Sequence, residues 1–577
     1  MTTNGSFALE EIIIPPAPGS NGAPDTHHTR SPTAISAAPS ESATLSGPGS
    51  GFAGGSRLAG GSSKGAPLDG LPEVGALPTS DAEKLPPSRV PNIFVPAERK
   101  LRTLVICFDG TGDQFDADNS NIIELFSILK KDDPDKQMVY YQAGIGTYTV
   151  PQIATPFMAK LSKTLDEMVA WNLDAHIMGG YEFLMQNYKY GDKICIFGFS
   201  RGAYTARCLA GMIHKVGLLP ICNHQQVPFA YKMYTKADPL GWKQSNAFKK
   251  AFSINVGIDF LGVWDTVASV GIVPRKLPFT ASNTCVRVFR HAISLDERRT
   301  KFKQNTWHRP NDKEAKLAAT DRHGHDHDRG YHDAHHSSNG HHSPKRMNAK
   351  QLERAYSEIY EAPTNVEEVW FAGCHCDVGG GSVTNGTRPN LARIPLRWMI
   401  RQTFLTNTGI MFSARGLRKL GLDLDPVTYH PVLKRPPALE VPKHTFIQHI
   451  PRTNLKRLTI EEYDAQVKEA AEAEAELTEQ EVDLKDALSP VYDQLSLARW
   501  WWILEMLPIR HHFQKEDNSW TWLIGMNFGR GRHIPRQTKH GVKLHRSVKT
   551  RLEATYADGK SYFPKANLKL DKVTWVD

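Results

Sequence analysis

The sequence predicts an α/β fold, a mainly parallel sheet flanked by helices, and three observations carry that expectation. Four short runs are continuously apolar: "LRTLVICF" (101–108), "KICIFGF" (193–199), "INVGIDFLGVW" (254–264) and "VEEVWFAG" (366–373). Runs of this length without polar alternation fit strands covered on both faces. Between them lie helix-like segments such as "SNIIELFSILKK" and "LDAHIMGGYEFLMQNY", and strands alternating with helices build a sheet through right-handed crossovers. Each run also ends in small, polar or reactive residues, and in such sheets chemistry sits at the carboxyl ends of the strands.

Taken in order, residues 1–95 are dominated by Gly, Pro, Ser and Ala. That composition buries too little apolar area to offset backbone ordering, so a disordered tail is expected. Its "GGSSKG" lacks the spacing and the preceding strand of a phosphate loop. Residues 96–577 are read as one large domain. The first apolar run ends in Asp109-Gly110-Thr111-Gly112-Asp113. The loop suits an oxyanion hole, with Gly110 or Thr111 donating a backbone N–H and Asp109 either lining the loop or pinning it.

The second run leads into Gly198-Phe199-Ser200-Arg201-Gly202 and then "RGAYTARCLAGMI". A Gly-x-Ser-x-Gly pentapeptide between strand and helix is the setting of a nucleophile elbow. Its glycines give room for a strained turn, and the Arg201 N–H at the helix start faces a developing oxyanion. A serine nucleophile needs a base, and the base an orienting acid. Asp265 follows the third run and His375 the fourth, which matches the order Ser, Asp/Glu, His. Asp377 is the alternative acid, or else the holder of the turn Gly379-Gly380-Gly381. His545 is the reserve base.

Rival chemistries fail on particular residues. Haloacid-dehalogenase-like phosphotransferases end their first strand in Asp-x-Asp-Gly-Thr, and here Cys107 holds the place of the nucleophilic aspartate. Cys374-His375-Cys376-Asp377 lacks the second ligand pair of a structural zinc site, so neither metal nor cofactor is expected. Two insertions interrupt the domain. Residues 318–346 hold eight of the 24 histidines in a polar stretch, read as a disordered loop. Residues 459–488 are rich in Ala and Glu, read as an exposed acidic helix.

Five motifs, "CFDGTGD", "YYQAGIGT" (140–147), "GFSRGAYTAR", "GVWDTVASVG" and "WFAGCHCDVGGG", occur in an order that resembles an uncharacterised α/β-hydrolase domain family. That family is widespread in fungi and bacteria and includes phospholipase effectors of bacterial type VI secretion. The resemblance covers roughly residues 101–300 and 365–550. It implies an α/β-hydrolase-like sheet with Ser200 as nucleophile, Asp265 as acid and His375 as base. The chain departs from the usual "DGTGN" at Asp113 and from "GxHxDVGGG" only in its flanking cysteines.

Composition narrows the remaining classes. The 577 residues are 40% hydrophobic and 23% charged, with seven cysteines. An odd cysteine count without repeated spacing argues against a disulfide scaffold; a reduced, cytoplasmic setting is the default. No stretch approaches the 18 apolar residues of a membrane span. The net charge of +9 is uneven, with −3 over residues 1–95 and +8 over residues 530–577. That basic end, near "SLARWWWILEMLPIRHHF", makes peripheral contact with an anionic membrane surface a partner hypothesis, against a solvated face or a lid packed on the core. The leading functional reading is a serine hydrolase of esters, with lipid or phospholipid acyl esters favoured. An idle hydrolase fold used for binding is second. A nucleic-acid binder, lacking any recognition motif, comes last.

Overall fold

Strands form where the continuous apolar runs place them, and at several positions where no such run exists. The computed structural model describes residues 94–96, 101–110, 113–144, 173–267, 276–311, 314, 349–357, 362–450 and 460–577. The strands are β1 (Phe94–Pro96), β2 (Thr103–Phe108), β3 (Gln137–Gln142), β4 (Lys193–Phe199), β5 (Ile258–Trp264) and β6 (Val286–Ser294), then β7 (Asn365–Phe371), β8 (Met411–Ser413), β9 (Ile509–Gln514), β10 (Trp520–Gly525), β11 (Val542–His545) and β12 (Val573–Val576). Eight of them make one sheet in the order β12-β11-β7-β6-β5-β4-β2-β3, and every pairing in it is parallel. The expected α/β class is what the chain adopts. β1 with β8 and β9 with β10 form separate antiparallel pairs.

The strand order fixes where a ligand can enter. From β2 the chain moves outward to β3, then crosses back to β4 on the other side and continues through β5, β6 and β7. That reversal between β2 and β4 opens a crevice at their carboxyl ends, the usual binding place in open α/β sheets. Asp109 and Ser200 directly follow these two strands.

Helices cover both faces: α1 (Asn121–Ile128), α2 (Leu173–Asn187), α3 (Ser200–Val216), α4 (His375–Gly379) and α5 (Arg393–Leu405) among them. Successive strand residues face opposite sides, and β2 shows it. Leu104, Ile106 and Phe108 join the buried cluster with α2 and α3, while Val105 and Cys107 join the one with α1 and α5. A strand buried on both faces has no polar side to show, hence the continuous run.

β6 escapes that pattern because "VRVFRHAIS" carries polar residues into the middle of the sheet. Arg290 is buried with its Nε on Gln402 at 2.7 Å and its Nη1 on the Asn365 carbonyl at 3.0 Å. His291 is fully buried and lies 3.0 Å from Glu368. Pairing removes most of the cost of burying such groups, but nothing in a single run announces the partners.

The acidic segment is a correction. Residues 459–488 do not form one exposed helix but two, α6 (Ile460–Glu474) and α7 (Glu479–Ala487). Thr478 starts the second with a capping box to Glu481. α7 turns Glu479, Asp483 and Asp486 inward, where they are buried. Arg397 donates to Asp483 at 2.5 Å and Asp486 at 2.7 Å, Arg401 to Glu479 at 2.7 Å, and Arg435 to Asp483 at 2.6 Å. Arginines four residues apart share one face of α5, and they need carboxylates there.

The basic end likewise belongs to the sheet, through β11 and β12, and Arg532 and Arg551 within it are fully buried. Among the described residues no helix is long and apolar enough to cross a membrane. The N-terminal tail up to residue 93, Thr111 and the histidine-rich stretch 318–346 lie outside the described residues.

Candidate active site

The turn from β4 into α3 is built by steric necessity. Ser200 is left-handed, with φ 57°. A Cβ on Gly198 would stand 2.6 Å from the Ala203 Cα, and one on Gly202 would stand 2.2 Å from the Asp109 carbonyl oxygen. Glycine at both places lets the helix start against the end of β2. This places Ser200 at the carboxyl end of β4, where its hydroxyl lies 2.8 Å from His375 Nε2.

His375 opens α4 just past β7. Its Nδ1 lies 2.5 Å from Asp265 Oδ2 at the end of β5. Asp265 is fully buried and also left-handed, with φ 40°. Burial alone pushes its carboxyl up, but the Arg532 guanidinium, with the His375 hydrogen bond, holds it well below the usual carboxylate range. An ionised carboxylate only accepts hydrogen bonds, so Nδ1 carries the imidazole proton and Nε2 is left to accept from Ser200. Burial pushes the His375 imidazole below its ordinary value, against the opposing pull of Asp265. The ring is therefore neutral and basic at neutral pH. Phe199 and Phe302 flank it, with ring centroids 4.8 Å and 4.9 Å away.

Asp265 is clamped from two further sides. Ser294 donates its backbone N–H at 2.9 Å, and Arg532 donates through Nη1 at 2.5 Å and Nη2 at 2.8 Å. The His375 backbone N–H donates to Glu297 at 3.3 Å. Glu297 is buried against Arg299; burial pushes its carboxyl up, but Arg299 outweighs that and holds it down to about 2.

Asp109 anchors the end of β2 through three hydrogen bonds. Asp109 accepts from the Gly110 N–H at 2.8 Å, the Ser120 hydroxyl at 2.5 Å and the Tyr141 hydroxyl at 2.8 Å. It pins the loop, one of the two roles the sequence allowed. The Gly110 N–H is thereby committed to Asp109. Arg201 lies in the first turn of α3, whose backbone N–H groups have no intrahelical acceptor.

Asp377 is not a partner of the His375 imidazole. It accepts from the Cys374 N–H at 2.8 Å, the Ser382 hydroxyl at 2.8 Å and the Tyr492 N–H at 3.0 Å. Those contacts hold the glycine turn, the alternative role. His545 sits elsewhere, with its Nδ1 2.9 Å from the Ser547 hydroxyl and its ring stacked on Phe371. Among the described residues no group of three or more His, Cys, Asp or Glu is arranged to hold a metal ion.

Arg532, Ser294, Glu297 and Arg299 were not legible as site residues. Arg532 had one usable signal, its place directly after the second glycine of "GRGRH", which the basic charge of the whole segment masked.

Comparison with known proteins adds a family. The model of the type VI secretion system phospholipase effector Tle1-like catalytic domain matches residues 102–402. The uncharacterized protein YEL023C of Saccharomyces cerevisiae is 28% identical over 555 residues, which cover 78% of this chain and 79% of the relative. A solved uncharacterized protein from Pseudomonas aeruginosa aligns over 67% of this chain with 16% identity and a TM-score of 0.30. The structure of the Tle1 effector bound to the VgrG spike of the type VI secretion system aligns over 50% of this chain with 18% identity and a TM-score of 0.24. Each alignment covers 53% of the solved chain, about half its length.

Proposed function

The chain belongs to the family of Tle1-like phospholipase effector catalytic domains, and from that premise we propose that it hydrolyses lipid acyl esters with Ser200, His375 and Asp265 acting together. One observation carries the reading. Three side chains from the ends of three different strands meet in a buried hydrogen-bonded line, Ser200 to His375 to Asp265, at 2.8 Å and 2.5 Å. Such a line is what turns a hydroxyl into a nucleophile.

In this reading Ser200 Oγ attacks the acyl carbonyl while its proton passes to His375 Nε2. The Arg201 N–H at the start of α3 faces the resulting oxyanion. The tetrahedral adduct collapses as His375 returns the proton to the departing alcohol, leaving acyl-Ser200. Water then attacks that ester, with His375 again taking and returning the proton, and the carboxylic acid leaves. Asp265 remains ionised throughout and stabilises the imidazolium. The reading treats residues 96–577 as one catalytic domain, because these groups and the clamp on Asp265 come from its whole length.

A fluorophosphonate probe tests the chemistry. The expected result is a covalent adduct on Ser200, absent in Ser200→Ala, together with turnover of phospholipid and simple ester substrates. Wild-type protein that folds but takes no label sinks the hydrolase reading and leaves a binding role for the fold.

A further inference from the structure

The tryptophan-rich stretch is not packed away. Trp500, Trp502, Ile503, Met506 and Leu507 are all exposed, Ile503 at 67% and Met506 at 58%. Beside it runs the antiparallel ribbon of β9 and β10. Trp522, Leu523 and Ile524 follow one another in β10 and are 56%, 60% and 59% exposed. Successive strand residues point to opposite faces, so three in a row means that neither face of β10 is covered. Met526 and Phe528 extend the apolar surface. Large residues grouped in this way, unlike single exposed ones, mark an interaction surface.

The two pieces are joined into one. The Glu505 carbonyl accepts from the backbone N–H groups of Asn527 and Phe528, at 3.1 Å and 3.3 Å. The Glu505 carboxylate accepts from Asn527 Nδ2 at 2.6 Å and the Gly529 N–H at 2.9 Å. This acid is buried and so adds no negative charge outside. The exposed charges between Leu497 and Gln514 are Arg499 and Arg510, and Arg510 lies over the Trp522 ring at 4.6 Å. At the far turn of the ribbon, Glu516 is bound to the backbone of Thr538 and Lys539, and the exposed Lys515 and Asp517 offset one another in charge. The surface is apolar, indole-rich and cationic.

It also abuts the candidate site. Arg299 lies over both Phe302 and Trp501, at 3.6 Å and 4.9 Å from the ring centroids. The Phe302 ring is 5.5 Å from Trp501 and 4.9 Å from His375. A chain of aromatic contacts thus runs from the exposed surface to the imidazole.

We infer that this surface docks the protein on an anionic phospholipid bilayer, with the mouth of the Ser200 crevice against the lipid. Indole rings settle at the boundary between acyl chains and water, aliphatic side chains enter the acyl region, and Arg499 and Arg510 among them favour anionic headgroups. A second copy of the chain would also cover apolar residues, but a two-fold contact pairs a patch with itself, and the exposed charges set among these apolar residues, Arg499 and Arg510, are both cationic. The inference rests on the lipid-ester reading, and its test is kept separate from catalysis.

Ser200→Ala protein is sedimented with phosphatidylcholine vesicles, with and without phosphatidylserine. It is expected to bind the serine-containing vesicles more tightly, and less so at high salt. The double variant L523D/I524D, checked for unaltered circular dichroism, should partition at least about tenfold less, and Arg510→Glu should lose the preference for phosphatidylserine. Equal partition of parent and double variant overturns the proposal, as does a parent that ignores both vesicles. So does light scattering that finds a dimer in the parent and a monomer in the double variant, since the surface then belongs to a second copy. Fluorophosphonate labelling of wild-type Ser200 is read independently. Labelling without vesicle binding overturns only the docking surface, and vesicle binding without labelling overturns only the hydrolase.

Discussion

Two residues of the proposed catalytic line, Ser200 and Asp265, hold left-handed backbone angles, and each such non-glycine conformation costs on the order of 1–3 kcal/mol. The surroundings over-determine them: Gly198 and Gly202 make the first turn, and Ser294 and Arg532 make the second. Arg532 has the larger consequence. Removing it leaves a buried carboxylate without its cation, at a cost of about 3–5 kcal/mol. It also removes a positive charge near the imidazole and leaves Asp265 to favour imidazolium more strongly. In the parent, burial keeps His375 below its ordinary value of 6.5, so the acid limb of kcat/KM is expected below that pH. In Arg532→Gln the limb should move to higher pH, alongside a lower Tm. A lower Tm with an unmoved limb would make Arg532 a purely structural group.

Among the elements, α7 shows how a wrong expectation arises from sound chemistry. Ala and Glu do favour helix, but a charge pattern reads as solvated unless the partner charges are seen, and those lie on α5 and at Arg435, far away in sequence. The fully legible elements are those with local causes: β4 and α3 around the glycine-flanked serine, and α1 with Ser120 capping it. Burial alone pushes the Asp483 carboxyl up, but Arg397 and Arg435 outweigh that and hold it well below its ordinary value of 3.8. Its contribution is therefore fully present above the unfolded value and is lost as pH falls through the folded one. Asp483→Ala leaves the buried Arg397 with Asp486 and the Leu420 carbonyl and should cost about 3–5 kcal/mol in urea unfolding at neutral pH. The gap between variant and parent should narrow once the pH drops below 3.8 and toward the lower folded value. A gap that stayed constant with pH would mean that the loss is packing and not charge.

At the scale of the whole molecule, the sheet explains both what the sequence disclosed and what it hid. The reversal between β2 and β4 makes a crevice, and strand ends supply Ser200, Asp265 and His375, all readable as local motifs and all within the family match over residues 102–402. The cation that supports Asp265 enters from outside that span, because the chain between β10 and β11 reaches the end of β5 before β11 and β12 extend the same sheet. Arg532 donates there to Asp265, to the Ser294 hydroxyl and to the Phe302 carbonyl. A basic C-terminal segment that looks like a detachable electrostatic tail is thus structural. Deleting residues 526–577 is expected to give protein that fails to fold or, if soluble, takes no fluorophosphonate label. Replacing the exposed Lys549 and Lys572 by Gln, which lowers the charge of the same segment without touching its buried contacts, should leave Tm and labelling unchanged. The opposite pattern, a labelled truncation and a damaged lysine variant, would mean that the segment acts through its surface charge. The buried clamp on Asp265 would then be dispensable.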